Sequence, residues 1–409
     1  MSGKSFTIHH LQFAIHLTFT LFFSPLNEID FADITKEDTL KNHIHIHFDR
    51  IPQWKGMDIA IIGLTEIRGS SNKAMDIHAA HYIRRQLYQL KKSAADYKIV
   101  DLGNLKNGID LEDTYLRIKE VSEKLLKSKV IPVFLGGTND LMLGQYLAFE
   151  HLNNIVSIAN IDAILDLDEM PTEGMNKHHL WRIIAHSPNY LFNMSQLAHQ
   201  AYLNAAKRIE ILERLYFDIY GVGKIREDLE NLEPIIRGAD MIALDICAIR
   251  GQDAPASDNA QPFGLTGEEI CQLFWFAGLS NQTNSIGIYE YNPIKDENEK
   301  TAKVLAVALW YFIEGVCNRH RNLDFESNTF TKYTVPIGDN HRDNIFEIRF
   351  YKHLLSNKWW MEVEYSQDAI DENLVETSTA IVPCTYDDYL IATQGELPTR
   401  WIQSHAKLL

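Results

Sequence analysis

Four hydrophobic runs of this 409-residue chain are each followed directly by polar residues that can bind a cation. The polar ends are 136–140 (GGTND), 162–166 (DAILD), 245–247 (DIC) and 290–293 (EYNP). If the runs are parallel strands of one sheet, their carboxyl ends meet at one edge, which is where open α/β sheets bind ligands. Carboxylates that converge from separate strands indicate a site for a metal ion or a cationic ligand.

These runs belong to an alternation of short β-rich segments and longer segments with helical periodicity. The alternation is typical of a doubly wound parallel sheet with helices on both faces, a three-layer αβα fold. Buried strands are predicted at 57–63, 98–103, 130–135, 155–161, 217–222, 241–245 and 285–289. Helices are predicted at 79–90, 114–128, 197–215 and 300–320. Two aromatic-rich strands at 346–351 and 359–365 follow them.

The chain is predicted to have three parts. Residues 1–21 form a poorly constrained leader, because polar residues interrupt its apolar run and no small-residue cleavage site follows. Residues 22–321 form the α/β domain. Residues 322–409 form a β-containing C-terminal extension, which should pack on that domain because an isolated hairpin is not stable, and which we expect to carry a surface for a protein partner.

Composition excludes several classes of function. The chain has 39 basic and 55 acidic residues, and a formal charge of -16 repels a phosphate backbone, so no nucleic-acid partner is expected. Its four cysteines form no CxxC pair, which favours reduced thiols in a cytoplasmic protein over a zinc ribbon or a disulfide framework. The apolar run 11–23 is too short to span a bilayer, so no membrane partner is expected either.

The four polar ends, in this order, resemble the ureohydrolase signatures GGDHS, DAHxD, SxDxD and ExNP. Segment 66–69 (EIRG) is similar to a loop of the formimidoylglutamase branch, and 253–255 (DAP) and 264–266 (GLT) resemble elements that follow the third motif. The chain is therefore similar, over roughly residues 22–320, to the superfamily of arginase, agmatinase and formimidoylglutamase. The resemblance implies an arginase-like fold, hydrolysis of guanidino or formimidoyl C–N bonds, and assembly as a homo-oligomer.

Members of this family hold two manganese ions through four aspartates and two histidines. The resemblance implies that Asp162, Asp166 and Asp245 are retained metal ligands. It also implies that Glu290, in the ExNP-like motif, is the carboxylate that helps to hold a cationic substrate.

Three ligand positions of the family are replaced here. The GGDHS histidine becomes Asn139, the DAHxD histidine becomes Ile164, and the second aspartate of SxDxD becomes Cys247. Isoleucine has no lone pair to offer a metal, and the hydrolysis depends on two ions that activate a water molecule. The resemblance therefore predicts a degenerate, vestigial manganese site made of Asp162, Asp166, Asp245 and Asn139. It predicts a catalytically inactive pseudoenzyme with no cofactor, although a single magnesium or calcium ion stays an alternative.

Two other functions stay open at this point. One is a residual metal-dependent hydrolase of a guanidino or formimidoyl substrate. The other is a sensor in which Glu290 and the aspartates hold a cationic small molecule.

These candidate site residues also have plainer interpretations. The aspartates can be helix caps, Asn139 can be a turn residue, and Cys247 can be a small buried hydrophobe. His179 is interpreted as an exposed loop residue. Without a metal, the repulsion among the aspartates would need a proton or a nearby base such as Arg250 or Lys177.

Overall fold

A computed structural model of the chain describes residues 19–72, 74–152, 154–170, 174–319, 323–338, 346–366 and 377–408. Most of the predicted leader, residues 1–21, lies outside these residues. Among the described residues, none of the helices is long and apolar enough to cross a membrane.

A large, mainly parallel sheet forms the centre of the protein. Its strands are β1 Phe23–Ser24, β2 Ile44–Ile46, β3 Ile59–Leu64, β4 Ile99–Leu105, β5 Ile131–Leu135, β6 Val156–Ile161, β7 Leu191–His199, β8 Asp218–Gly221, β9 Met241–Asp245 and β10 Ser285–Tyr289. They lie in the order β1-β4-β3-β5-β10-β9-β6-β7-β8, and β2 also pairs with β4. Strand β1 is antiparallel to β4 and the other pairs are parallel, so the predicted parallel sheet is confirmed.

Helices cover both faces of this sheet. They are α1 Ala79–Gln89, α2 Leu111–Lys127, α3 Met142–His151, α4 His179–Ile184, α5 Ala206–Arg214, α6 Val222–Glu227, α7 Glu233–Arg237, α8 Gly267–Leu279 and α9 Lys300–Cys317. Short 3-10 turns lie at Glu28–Phe31, Leu40–His43, Asn139–Leu141, Met175–Lys177, Ala201–Leu203, Glu230–Leu232, Ile246–Ala248, Pro293–Lys295 and Glu297–Glu299. Along β3, Ile59 and Ile61 enter one core cluster while Ala60 and Ile62 enter the other. Because neighbouring side chains of a strand point to opposite faces, the sheet separates two apolar layers.

The predicted helix 197–215 is wrong in its first part. Strand β7 continues to His199, and α5 begins only at Ala206. The strand was missed because polar residues interrupt it: the side chains of Asn193 and Ser195 both donate hydrogen bonds to Asp218 on the neighbouring strand β8. Because of these polar residues, β7 lacks the continuous apolar run by which a buried strand is normally identified.

The C-terminal extension contains a second, antiparallel sheet. Its strands, in spatial and chain order, are β11 Phe330–Ile337, β12 Phe346–His353, β13 Trp359–Ser366 and β14 Thr377–Cys384, followed by α10 Tyr386–Thr393 and α11 Thr399–Leu408. The two predicted strands correspond to β12 and β13, whereas β11 and β14 were not predicted. The sheet has its own apolar cluster, which includes Trp359 and Met361.

Helices α8 and α9 approach each other most closely at two glycines. A Cβ atom at Gly278 would lie 2.4 Å from the carbonyl oxygen of Phe312 and 2.8 Å from Cα of Gly315. Gly278→Ala should therefore lower the free energy of unfolding by about 2–3 kcal/mol, because backbone has to move. Gly223→Ala in α6 is the matched control: no atom lies within 4 Å of the added Cβ. Urea unfolding that finds Gly278→Ala as stable as the control would contradict this packing.

Candidate metal centre

The residues singled out in the sequence meet at the carboxyl edge of the central strands. Strands β5, β10, β9 and β6 are neighbours in the sheet, and they lead into the segments that carry Asn139, Glu290, Asp245 and Asp162. All four side chains are buried. Convergence of the four polar ends follows from this strand order, and we refer to the space between them as the cleft.

Asn139 lies at the centre of the cleft. Its side-chain Nδ2 donates hydrogen bonds to Oδ2 of Asp166 (3.0 Å) and to Oδ2 of Asp245 (3.1 Å). Its backbone N–H donates to Oε1 of Glu290 at 3.0 Å. Asn139 therefore does more than close a turn, because its amide holds two carboxylates that approach from different strands.

Cys247 connects Asp162 with Asp245. Its thiol donates to Oδ1 of Asp162 at 3.1 Å, and its backbone N–H donates to Oδ1 of Asp245 at 2.8 Å. One ligand atom from each of Asp162, Asp245 and Cys247 lies within 4.8 Å of the others. The described residues contain no second group of three acidic, histidine or cysteine side chains at such distances.

Glu290 is held by its backbone as well as by its side chain. Its φ is +62°, a left-handed conformation that few non-glycine residues adopt. Its N–H donates to the carbonyl oxygen of Gly137 at 3.0 Å, and Asn176 Nδ2 donates to its Oε1 at 3.3 Å. Gly137 has a φ of +73°, a conformation that residues with a side chain rarely adopt, so this turn favours glycine.

Burial and mutual repulsion perturb the acidic groups of the cleft. Burial raises the pKa of Asp162 well above its ordinary value, and the charges of Asp245 and Asp166 raise it further. Burial and the charge of Asp245 likewise raise the pKa values of Asp166 and Glu290. Burial raises the pKa of Asp245 to about 6. A cation in the cleft would offset this repulsion and favour the charged carboxylates.

The two bases predicted to offset the repulsion differ, because Arg250 pairs with another aspartate whereas Lys177 acts on Asp166 through its charge. Arg250 is directed to Asp253, with hydrogen bonds of 2.9 and 3.2 Å, and is 41% exposed. The positive charges that lower the pKa of Asp166 are those of Arg208 and Lys177, yet burial and Asp245 outweigh them. Arg208, on α5, was not anticipated. Only the packing of α5 brings it near, where it donates to the carbonyl oxygen of Leu165 at 2.8 Å.

His179 is buried, so the prediction of an exposed loop residue is wrong. The ring Nδ1 lies 2.6 Å from the carbonyl oxygen of Asn176 and 3.9 Å from Oδ2 of Asp166. Burial lowers the pKa of His179 to about 4, so the imidazole is neutral at pH 7. Because Nδ1 carries the proton that is donated to the carbonyl, Nε2 keeps its lone pair, and this atom has no hydrogen-bond partner.

The ligand atoms of the cleft fit a divalent ion. Two buried oxygens, Asn139 Oδ1 and Asp162 Oδ2, have no hydrogen-bond partner, as expected of atoms that bind an ion. Together with the Asp162, Asp245 and Cys247 group they offer both oxygen and sulfur ligands. Ile164 contributes only its backbone N–H, which donates to Oδ1 of Asp162 at 2.8 Å.

A model of the arginase family matches residues 57–314, more than half of the chain. The chain belongs to the arginase family. Two similar relatives are formimidoylglutamases, from Geobacillus sp. strain WCH70 (25% identity over 275 residues, 62% of this chain and 81% of the relative) and Clostridium tetani (26% over 296 residues, 67% and 87%). These matches confirm the resemblance of this arginase-family chain to the formimidoylglutamase branch.

Solved structures of two such proteins share the fold. Trypanosoma cruzi formiminoglutamase with Mn2+ superposes with a TM-score of 0.61 at 18% identity, covering 65% of this chain and 96% of that chain. Bacillus subtilis formimidoylglutamase gives a TM-score of 0.62 at 19% identity, covering 70% and 94%. The predicted arginase-like α/β architecture is confirmed.

The prediction that no cofactor is expected is wrong. The T. cruzi structure contains manganese, and this chain brings Asp162, Asp245 and Cys247 together as a group that can hold a metal ion. The prediction failed because it treated Cys247 as a lost ligand, whereas a thiol that faces two carboxylates can also bind a metal ion. The expected magnesium or calcium alternative, which assumed oxygen ligands only, overlooked the same sulfur atom.

Proposed function

We propose that this arginase-family protein binds one divalent metal ion and a formimidoyl or guanidino compound in the cleft, and that it turns this compound over far more slowly than a two-metal hydrolase. Ile164 carries the proposal. Its N–H is fixed on Asp162, so its position at the cleft is determined, but its side chain has no ligand atom. The resemblance places it where the family motif has a histidine.

The residues that would hold the ion are Asp162, Asp245 and Cys247. A bound ion would supply positive charge that polarises a nearby ligand and offsets the repulsion among the carboxylates. Asn139 keeps Asp166 and Asp245 in place through the two hydrogen bonds of its amide. Without a second ion, however, the cleft lacks the clamp that two-metal hydrolases use to generate and hold their nucleophile.

Glu290 supports binding of a cationic group. Its carboxylate is buried, and it accepts hydrogen bonds from the backbone of Asn139 and from the side chain of Asn176. A protonated amidino or guanidino group carries several N–H donors and one positive charge, which complement such a carboxylate. These residues therefore support ligand binding without rapid turnover, and in this sense we propose that the chain is a pseudoenzyme.

Residual hydrolysis is the second candidate. It is favoured by the ligand group itself, because one ion can activate water in some metalloenzymes, and by the names of the relatives, which are hydrolases.

The two candidates predict different rates. The purified chain, loaded with manganese or zinc, should release no formamide from N-formimidoyl-L-glutamate and no urea from arginine or agmatine above a metal-only blank. Bacillus subtilis formimidoylglutamase is the positive control. Calorimetry should still detect binding of N-formimidoyl-L-glutamate, and Glu290→Gln should weaken it. Turnover at roughly 1 to 1,000 per second, the ordinary range of enzymes, would overturn the proposal in favour of the hydrolase.

A further inference from the structure

We propose that Cys247 makes the metal centre selective for zinc over manganese. The inference rests on the proposed function in one respect, that the cleft holds a divalent ion. It goes further by naming the class of ion, and it assigns Cys247 the role of a thiolate ligand.

The position of Cys247 is fixed by its backbone. The residue lies in the 3-10 turn Ile246–Ala248 that directly follows β9, and the N–H of Cys247 donates to Oδ1 of Asp245 at 2.8 Å. The side chain is 1% exposed, so the thiol is held inside the cleft. Its Sγ lies 3.1 Å from Oδ1 of Asp162, with no side chain between them.

Zinc suits this mixture of ligands. It accepts sulfur, nitrogen and oxygen ligands in four-coordinate sites, with bonds of about 2.3 Å to sulfur and about 2.0 Å to oxygen. Ligand atoms that bind one such ion are therefore separated by about 3–4 Å. The Sγ of Cys247 and the carboxylate oxygens of Asp162 and Asp245 lie within 4.8 Å of one another, which requires only small shifts. The unpartnered Oδ2 of Asp162 is a further oxygen available to the ion.

Manganese suits the same ligands less well. It stands at the low-affinity end of the divalent series and prefers carboxylate, carbonyl and water ligands, whereas a thiolate favours zinc. The apolar side chain of Ile164 adds no donor that would extend the coordination shell. A smaller, four-coordinate ion therefore matches the number and the kind of ligands better than a larger six-coordinate ion.

The experiment uses the full chain freed of metal with a chelator and then dialysed against equal concentrations of zinc and manganese. Plasma mass spectrometry should find about one zinc per chain and at least about tenfold less manganese. Cobalt, which binds where zinc does, should add the near-ultraviolet absorption of a thiolate-to-cobalt transition. This readout does not depend on activity. The metal preference can therefore differ from the expected one while the chain shows no turnover, and the chain can show turnover while the metal preference is as expected.

Two substitutions and one control assign the effect to Cys247. Cys247→Ser should abolish the cobalt–thiolate band and weaken zinc binding by about tenfold or more, and Cys247→Asp should shift the preference toward manganese. Cys271→Ser is the matched control, because Cys271 lies on α8 and is only partly buried. Manganese bound as tightly as zinc by the natural chain, a cobalt adduct without the band, or no bound metal would each overturn the proposal.

Discussion

A variant that combines Asn139→His, Ile164→His and Cys247→Asp should bind manganese at least about tenfold more tightly than the natural chain. It should also hydrolyse N-formimidoyl-L-glutamate about a thousandfold faster, because a second catalytic ion contributes several kcal/mol to the stabilisation of the transition state. The three positions follow neighbouring or nearby strands of one sheet, β5, β6 and β9, and each is hydrogen-bonded to an aspartate of the cleft. Calorimetry with manganese and an assay of formamide release measure the two effects.

The control for this triple variant adds Asp162→Asn. By the resemblance, Asp162 is a ligand that both ions of the family share, so the fourth substitution should remove the gained manganese affinity and the gained rate. A triple variant that folds but binds manganese no better than the natural chain would show that the loops have diverged, and that the motif-by-motif correspondence does not hold.

Arg237→Ala should destabilise the protein by about 3–5 kcal/mol, the cost of breaking a buried ion pair. The side chain of Arg237 is 7% exposed, and its Nε donates to Oε1 of Glu233 at 2.9 Å. Its Nη2 donates to the carbonyl oxygens of Trp359 (2.9 Å) and Cys384 (3.4 Å), which belong to the second sheet. The guanidinium also lies over the ring of Trp360, 4.2 Å from its centre. One side chain on α7 therefore joins the α/β domain to strands β13 and β14.

Glu233 explains part of the expected cost. Burial raises the pKa of Glu233, but the charges of Arg237 and Lys358 outweigh burial and lower it below its ordinary value. Removal of Arg237 would leave a buried carboxylate with Lys358 alone. Arg214→Ala, at a position where the side chain is 82% exposed, is the control and should change stability by less than about 0.5 kcal/mol. Equal urea midpoints for the two variants would show that this contact does not hold the extension in place.

The proposed function separates ligand binding from turnover. Glu290, Asp162 and Asp245 keep the carboxyl groups that can bind a metal ion and a cationic ligand, whereas Ile164 has no ligand atom where the family motif has a histidine. Under the proposed function, the centre would keep its affinity for ligands without rapid catalysis, because a single ion and a carboxylate can still bind a cationic compound. Binding by a protein partner at the extension and assembly as a homo-oligomer stay predictions.

Much of the α/β domain could be predicted because buried parallel strands leave continuous apolar runs in a sequence. The runs that correspond to β3, β5, β6, β9 and β10 were identified with small errors at their ends. Strand β7 was missed because Asn193 and Ser195 make it polar, and their partner Asp218 is distant in sequence. Strands β11 and β14 lie at the edges of the second sheet. They were missed because apolar and polar residues alternate less clearly in them than in the aromatic-rich strands β12 and β13.

The order of residues along the chain specifies which chemical groups follow each strand. Because side chains after parallel strands share one edge of the sheet, the strand pattern alone predicts that Asn139, Asp162, Asp245 and Glu290 lie together. How these groups face one another depends on the folded chain. The thiol of Cys247 meets Asp162 from 85 residues away, and His179 is buried beside Asp166. Such contacts depend on strand order and on side-chain orientation, which local periodicity does not encode, and they turn an apparently lost ligand into one that can bind a metal.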